Sequence, residues 1–97
     1  MKEIVFSKRA ALKLEGLLHY LETEWSLKVK HSFIARLDNA LLQIAKMPES
    51  CPMSQKKKGV YKCFVSKQTS LYYRINRKEI EIITLFDNRQ KPSELDI

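Results

Sequence analysis

The chain has 97 residues, enough for one compact domain and too few for two. Apolar residues make up 44% and charged residues 30%, with only 2 glycines and 3 prolines, which excludes a disordered or fibrous chain. There are 18 Lys and Arg against 11 Asp and Glu, a net charge of +7. The excess is uneven. Residues 1–54 carry net +2 and residues 55–97 carry net +5. From Lys56 to Lys78 there are eight basic residues and no acidic one. Such a field attracts an anionic partner, either a nucleic acid or an acidic protein segment. It equally describes a solvated basic face. No apolar run approaches the roughly 20 residues of a membrane-spanning helix. The chain does not open on a basic and apolar leader, so a cytoplasmic location is expected. Two cysteines and two histidines do not easily complete a zinc site, and no metal or cofactor is expected.

Lys2–Phe6 reads as a short strand. Ser7 then stands where a hydroxyl can accept a free first-turn N–H of a helix. Ala11, Leu14, Leu18, Leu21 and Trp25 fall on one stripe at helical spacing, predicting a helix over about 8–24. Ser26 caps a second helix, whose stripe is Phe33, Leu37, Ala40, Ile44 and Met47, widened by Ile34 and Leu41. Pro48 ends it by restricting the residue before it. The connection between the helices is so short that they must fold back as a hairpin.

Pro48–Gly59 reads as a loop. The period then changes from 3.6 to 2. Tyr61, Cys63 and Val65 alternate with Lys62 and Phe64. Leu71, Tyr73 and Ile75 alternate with Tyr72 and Arg74. Ile80, Ile82 and Thr84 alternate with Glu81, Ile83 and Leu85. Three strands with short connections pair antiparallel. The last, apolar on both faces, is expected at the centre of the sheet. The predicted architecture is α+β, β-α-α-β-β-β, with a helical hairpin packed on an antiparallel sheet in a single domain over residues 1–97. The sheet face away from the helices is expected to stay open, with Lys62, Arg74, Phe64 and Tyr72 pointing there according to register.

No standard catalytic constellation stands out. His19 and His31 fall in the helices and read as surface or packing residues. Cys63 reads as a buried inert thiol, and nothing in the sequence demands a disulfide with Cys51. Glu79 and Glu81 read as solvated residues. What remains is a basic and aromatic surface. Lys56, Lys57, Lys58, Lys62, Lys67, Arg74, Arg77 and Lys78 could track an anionic partner, and Tyr61, Tyr72 and Tyr73 could stack on bases. Tyr61 and Tyr73 equally fit packing beneath the helices, and Tyr72 is open between the two.

The element order and three segments carry a family resemblance. These are the helical stretch YLETEWSLKVKHSFIARLDNALLQIAKMPESCP, the hairpin GVYKCFVSKQTSLYYRI and the last strand EIEIITLFDNRQKP. From about Ile4 to Glu94 the chain resembles the RelE/ParE superfamily of toxins of type II toxin–antitoxin systems. The resemblance implies a small growth-inhibiting, plasmid-stabilising toxin, neutralised by a cognate antitoxin and able to form a homodimer. RelE-like members cut messenger RNA on the ribosome, and ParE-like members block DNA gyrase. RelE-type sites use two lysines separated by one residue on the first hairpin strand. Lys62 matches the first, and Phe64 stands in the place of the second. Ser70 stands where an arginine opens the next strand, with Arg74 further along. Arg89 matches the arginine after the last strand. The tail Lys91–Ile97 holds no tyrosine. An incomplete cutting set implies a ParE-like binding inhibitor, with gyrase the expected target. The alternative is a ribosome-dependent endonuclease using Lys62, Arg74 and Arg89, with Tyr72 or Tyr73 moving protons. A third reading is an inactive accessory that only binds its partner.

Overall fold

The computed structural model describes residues 2–97. Strand β1 (Glu3–Phe6) leads directly into helix α1 (Lys8–Glu24). Ser7 holds the junction. Its Oγ accepts from the Ala10 N–H at 3.0 Å and donates to the Ile83 carbonyl at 2.7 Å. One hydroxyl thus caps the helix and ties it to the sheet. Helix α2 (Leu27–Lys46) begins the same way, with Ser26 Oγ accepting from the Val29 N–H at 3.1 Å. Both helices match the predicted spans to within a residue or two.

Strands β2 (Val60–Phe64), β3 (Thr69–Ile75) and β4 (Glu79–Asp87) complete a four-stranded sheet in the order β1-β4-β3-β2. The two hairpins are antiparallel, and β4 lies between β3 and β1 as expected of a strand apolar on both sides. The sheet is not antiparallel throughout. β1 runs parallel to β4, with Ile4 opposite Ile80 and Phe6 opposite Ile82. Parallel neighbours need a long crossover, and the helical hairpin with the first two hairpin strands supplies it.

The core lies between the helical hairpin and one face of the sheet. Phe33, Leu37, Ala40 and Ile44 of α2 and Ala10 of α1 meet Cys63, Leu71, Tyr73, Ile80, Ile82 and Leu85. Tyr61 and Tyr73 stack beneath the helices with ring centroids 5.3 Å apart, so these two tyrosines serve packing. The predicted stripes overrun the sheet at both ends. Trp25 is 65% and Met47 64% exposed, because the helix ends project past the strands.

Two expectations about the sheet need correction. Alternation along β4 breaks at a bulge. Tyr73 faces Ile82 and Tyr72 faces Thr84, so Ile83 has no partner on β3. Beyond it the faces exchange. Leu85, rather than Thr84, joins Ile80 and Ile82 in the core. The far face is also not open. The tail returns through a single 3-10 turn (Pro92–Glu94) and places Leu95 against Val60, Tyr72 and Phe86, with Ile83 and Ile97 packed alongside. A second, smaller apolar cluster results. Without that cover Tyr72 and Phe86 would leave large rings in water.

Candidate functional site

The cross-strand register fixes which predicted residues share the far face. Lys62 stands opposite Tyr72, Val60 opposite Arg74 and Phe64 opposite Ser70. Side chains of directly paired residues lie on the same side of a sheet, so Lys62, Phe64, Tyr72 and Arg74 all point away from the helices, as the period implied. Their circumstances differ. Phe64 is 61% exposed, and the Lys62 ammonium sits over its ring at 4.9 Å from the centroid. Tyr72 is only 4% exposed beneath Leu95, and burial pushes its phenol above the usual tyrosine range. Arg74 reaches Glu81 on β4 at 3.5 Å, which makes Glu81 a partner in an ion pair rather than a lone solvated residue.

Arg89 lies beyond the end of β4, away from that group. Its guanidinium grips Asp87 through Nε at 3.0 Å and Nη2 at 2.8 Å. These hydrogen bonds hold the Asp87 carboxyl below the ordinary carboxylate range and raise the arginine further. The structure therefore does not bring Lys62, Arg74 and Arg89 together as one bare cationic cluster. The first two share the far face, each arginine has a carboxylate, and Arg89 belongs to the opposite end of β4.

The basic stretch from Lys56 to Lys78 is also divided. Lys56 donates to the backbone carbonyls of Pro92, at 3.1 Å, and Leu95, and Lys57 lies 3.4 Å from the carbonyl oxygen of Ile97. These two lysines fasten the tail. Lys58, Lys67, Arg77 and Lys78 are exposed, and none makes an ion pair among the described residues. Lys58 stands in the loop before β2, Lys67 in the β2–β3 turn, and Arg77 and Lys78 in the β3–β4 turn at the other end of the sheet. His19 and His31 are exposed on the helices, remote in sequence and element from the strands that carry the cations.

A sizeable concavity is not legible in the sequence. It is a groove of about 770 Å³ between the helical hairpin and the end of the sheet. The facing ends of the helices supply Tyr20, Trp25 and Val29, the middle of α2 supplies Arg36, the β2–β3 turn supplies Lys67, and the end of β4 leads to Asp87 and Arg89. Tyr20, Trp25 and Val29 are exposed although large and apolar. The signal was present in part: the stripe of α1 runs one turn past the residues the sheet can cover. Its pairing with Lys67 and Arg89 needed the tertiary fold. Among the described residues no cluster of His, Cys, Asp and Glu could hold a metal ion, and no helix is long and apolar enough to cross a membrane.

Comparison with known proteins gives this arrangement a place. The fold matches that of the chromosomal ParDE toxin–antitoxin system of P. aeruginosa with a TM-score of 0.73 at 17% identity, covering 90% of this chain and 96% of that one. It matches the YoeB dimer of Staphylococcus aureus with a TM-score of 0.63 at 14% identity, over 88% and 94% of the two chains. It also matches the E. coli DinJ–YafQ complex with a TM-score of 0.65 at 12% identity, over 92% and 96%. No curated protein matches the chain in sequence. The family model of the ParE toxin of the type II toxin–antitoxin system parDE matches residues 4–92. The chain therefore belongs to the ParE toxin family, and is a type II toxin of the RelE/ParE superfamily.

Proposed function

We propose that this toxin arrests growth by binding its target rather than by cutting RNA, and that the target is DNA gyrase. The observation that carries the reading is the state of the residues a RelE-like cutter would use. Arg74 is engaged by Glu81 and Arg89 by Asp87. Tyr72, directly across from Lys62, lies under Leu95 with its phenol harder to ionise than usual. A general acid or base must come within reach of the reacting group, and the phenol directly across from Lys62 is covered by Leu95. Membership in the ParE family, whose ParE-like members block gyrase, supports the same side.

The groove at the end of the sheet suits the antitoxin. Exposed Tyr20, Trp25 and Val29 offer apolar anchors, and Arg36, Lys67 and Arg89 supply cations beside them. An amphipathic segment bearing acidic residues would fill the floor and answer the rim. The exposed lysines of the basic stretch, Lys58 and Lys67, extend the attraction outward, and Arg77 and Lys78 add to the field at the far end of the sheet.

The test is a pair of assays on purified toxin. Loss of gyrase supercoiling, restored by antitoxin, with intact messenger RNA in translation extracts is the expected result. Ribosome-dependent cuts at A-site codons, or growth arrest with unimpaired supercoiling, would overturn it.

A further inference from the structure

The sequence leaves Cys51 and Cys63 as two unrelated thiols eleven residues of chain apart, one in a loop and one in a strand. The fold relates them. The segment before β2 doubles back along it as a short ladder. Ser54 N–H donates to the Val60 carbonyl at 2.6 Å, Lys62 N–H donates to the Pro52 carbonyl at 2.9 Å, and Met53 bridges Tyr61 antiparallel. In each pair the residue numbers add to the same total, and the next pair in that register is Cys51 with Cys63. The hydrogen bonds fall on the pairs 54/60 and 52/62, which makes 53/61 and 51/63 the non-hydrogen-bonded pairs of the ladder.

Non-hydrogen-bonded pairs are the close ones, with Cα atoms roughly 4.5 Å apart in a regular antiparallel ladder. A disulfide spans Cα separations of about 4.4–6.8 Å. Both side chains also turn to the same side. Cys51 and Cys63 are buried in the core beneath the helices, beside Tyr73. We propose that Cys51 and Cys63 form a reversible intramolecular disulfide that fastens the 48–59 loop to β2, with a small disulfide such as oxidised glutathione as the oxidant.

The electrons balance in two exchanges. The thiolate of Cys51 attacks one sulfur of the oxidant, forming a mixed disulfide and releasing one small thiolate. The thiolate of Cys63 then attacks the Cys51 sulfur and releases the second. The two protein thiols lose two electrons and two protons, and the oxidant becomes two thiols. Burial, and then the neighbouring Cys51, pushes the Cys63 thiol up to about 12, so the closed form is a poor nucleophile at neutral pH. The exchange therefore begins when the loop lifts. That loop also carries Lys56, whose ammonium holds the tail at Pro92 and Leu95, so the bond stiffens the support of the tail as well.

The experiment equilibrates the full reduced chain with graded mixtures of oxidised and reduced glutathione, in buffer and in urea below the unfolding transition. The expected product is a monomer lighter by two hydrogens, with one cross-linked peptide pair containing Cys51 and Cys63. It melts about 5 °C or more above the reduced chain, reverts with dithiothreitol, and forms faster in urea. The variants Cys51→Ala and Cys63→Ala should yield neither the link nor the rise in Tm. Glutathione adducts or intermolecular dimers without the internal link would overturn the proposal. So would a chain that stays reduced in urea while a thiol reagent shows both cysteines accessible.

Discussion

The two faces of the one sheet are covered by different means. Toward the helices, α1 and α2 lay down a long apolar stripe, and the core includes thirteen buried residues from both layers. On the other side four buried residues form the cluster, and only Leu95 comes from the tail that covers them. The first cover is built of helices whose backbone is satisfied internally. The second is a short segment pinned by Lys56, Lys57 and an Arg9–Asp96 ion pair at 3.2 Å. The same strands thus carry one face that holds the fold and another whose cover can open at lower cost, since few buried contacts and exposed tethers mark the low-stability parts of a protein.

The comparison breaks most sharply in the core. Ile44 of α2 is fully buried. Ile44→Ala should cost about 2–5 kcal/mol through lost burial and a residual cavity, lowering the urea midpoint with little change in slope. Leu95→Ala removes a comparable side chain from the tail, where the chain can settle into the gap. A cost of about 1–2 kcal/mol is expected by the same reasoning. Leu95→Ala should also leave the gyrase or antitoxin assays dependent on a newly exposed Tyr72, whose phenol would titrate closer to its ordinary range in ultraviolet difference spectra. A Leu95→Ala cost equal to that of Ile44→Ala would abolish the distinction between the faces.

A pH experiment compares the faces through their tyrosines. Burial raises Tyr72 on the far face. Burial, and then Cys51, raises Tyr73 in the core, where its hydroxyl also donates to the Pro48 carbonyl at 2.7 Å. A group whose folded pKa lies above its unfolded value adds stability below the unfolded value and loses it as pH rises. Stability should therefore fall from about pH 10 upward, where tyrosines of the unfolded chain begin to ionise. Leu95→Ala should remove the Tyr72 share of that fall and leave the Tyr73 share. Denaturation midpoints at pH 8, 10 and 11 (roughly bracketing the ordinary tyrosine pKa) check this, and identical pH profiles for the variant and the parent chain would contradict it.

Much of this contrast could be read from residue order, and the reasons are local. Ser7 and Ser26 stand one residue before helices that carry long stripes of period 3.6, and a cap needs nothing beyond its own first turn. The change to period 2 after Gly59 marks the strands just as directly. The bulge at Ile83 could not be read that way, because β4 is apolar on both faces from Ile82 onward and no pattern there marks a slip of register. The ion pair of Arg89 with Asp87 is a two-residue matter and was within reach. That of Arg74 with Glu81 depends on the register of β3 against β4. Leu95 and Ile97 were visible as two apolar residues in a polar tail, yet only their return across the sheet explains them. The groove lies further still from the sequence, since helix ends, the β2–β3 turn and the end of β4 meet there only in three dimensions.

The smallest expected effects separate the tethers of the tail from one another. Lys56 donates to backbone carbonyls, so its contribution is that of charge-assisted hydrogen bonds at an exposed site. Lys56→Met keeps most of the stem and removes the donor, and should cost about 0.5–1 kcal/mol. Salt should change that cost little, because a carbonyl carries no net charge to screen. Arg9 makes an exposed ion pair with the Asp96 carboxylate through Nη2 at 3.2 Å and also donates through Nη1 to the Asp96 backbone carbonyl at 2.7 Å. Arg9→Ala should lose an ion-pair share of less than about 0.5 kcal/mol at low ionic strength, which falls to almost nothing at 1 M salt, and a carbonyl share that salt leaves in place. Amide exchange at Val60 and Phe86, measured in both variants at low and high salt, reads the opening of the far face directly. Both variants should quicken exchange at either salt, and only the effect of Arg9→Ala should shrink as salt rises. Equal salt sensitivity in the two would mean that the tail is held by the field of the basic loop as a whole, rather than by the ammonium seated on its carbonyls.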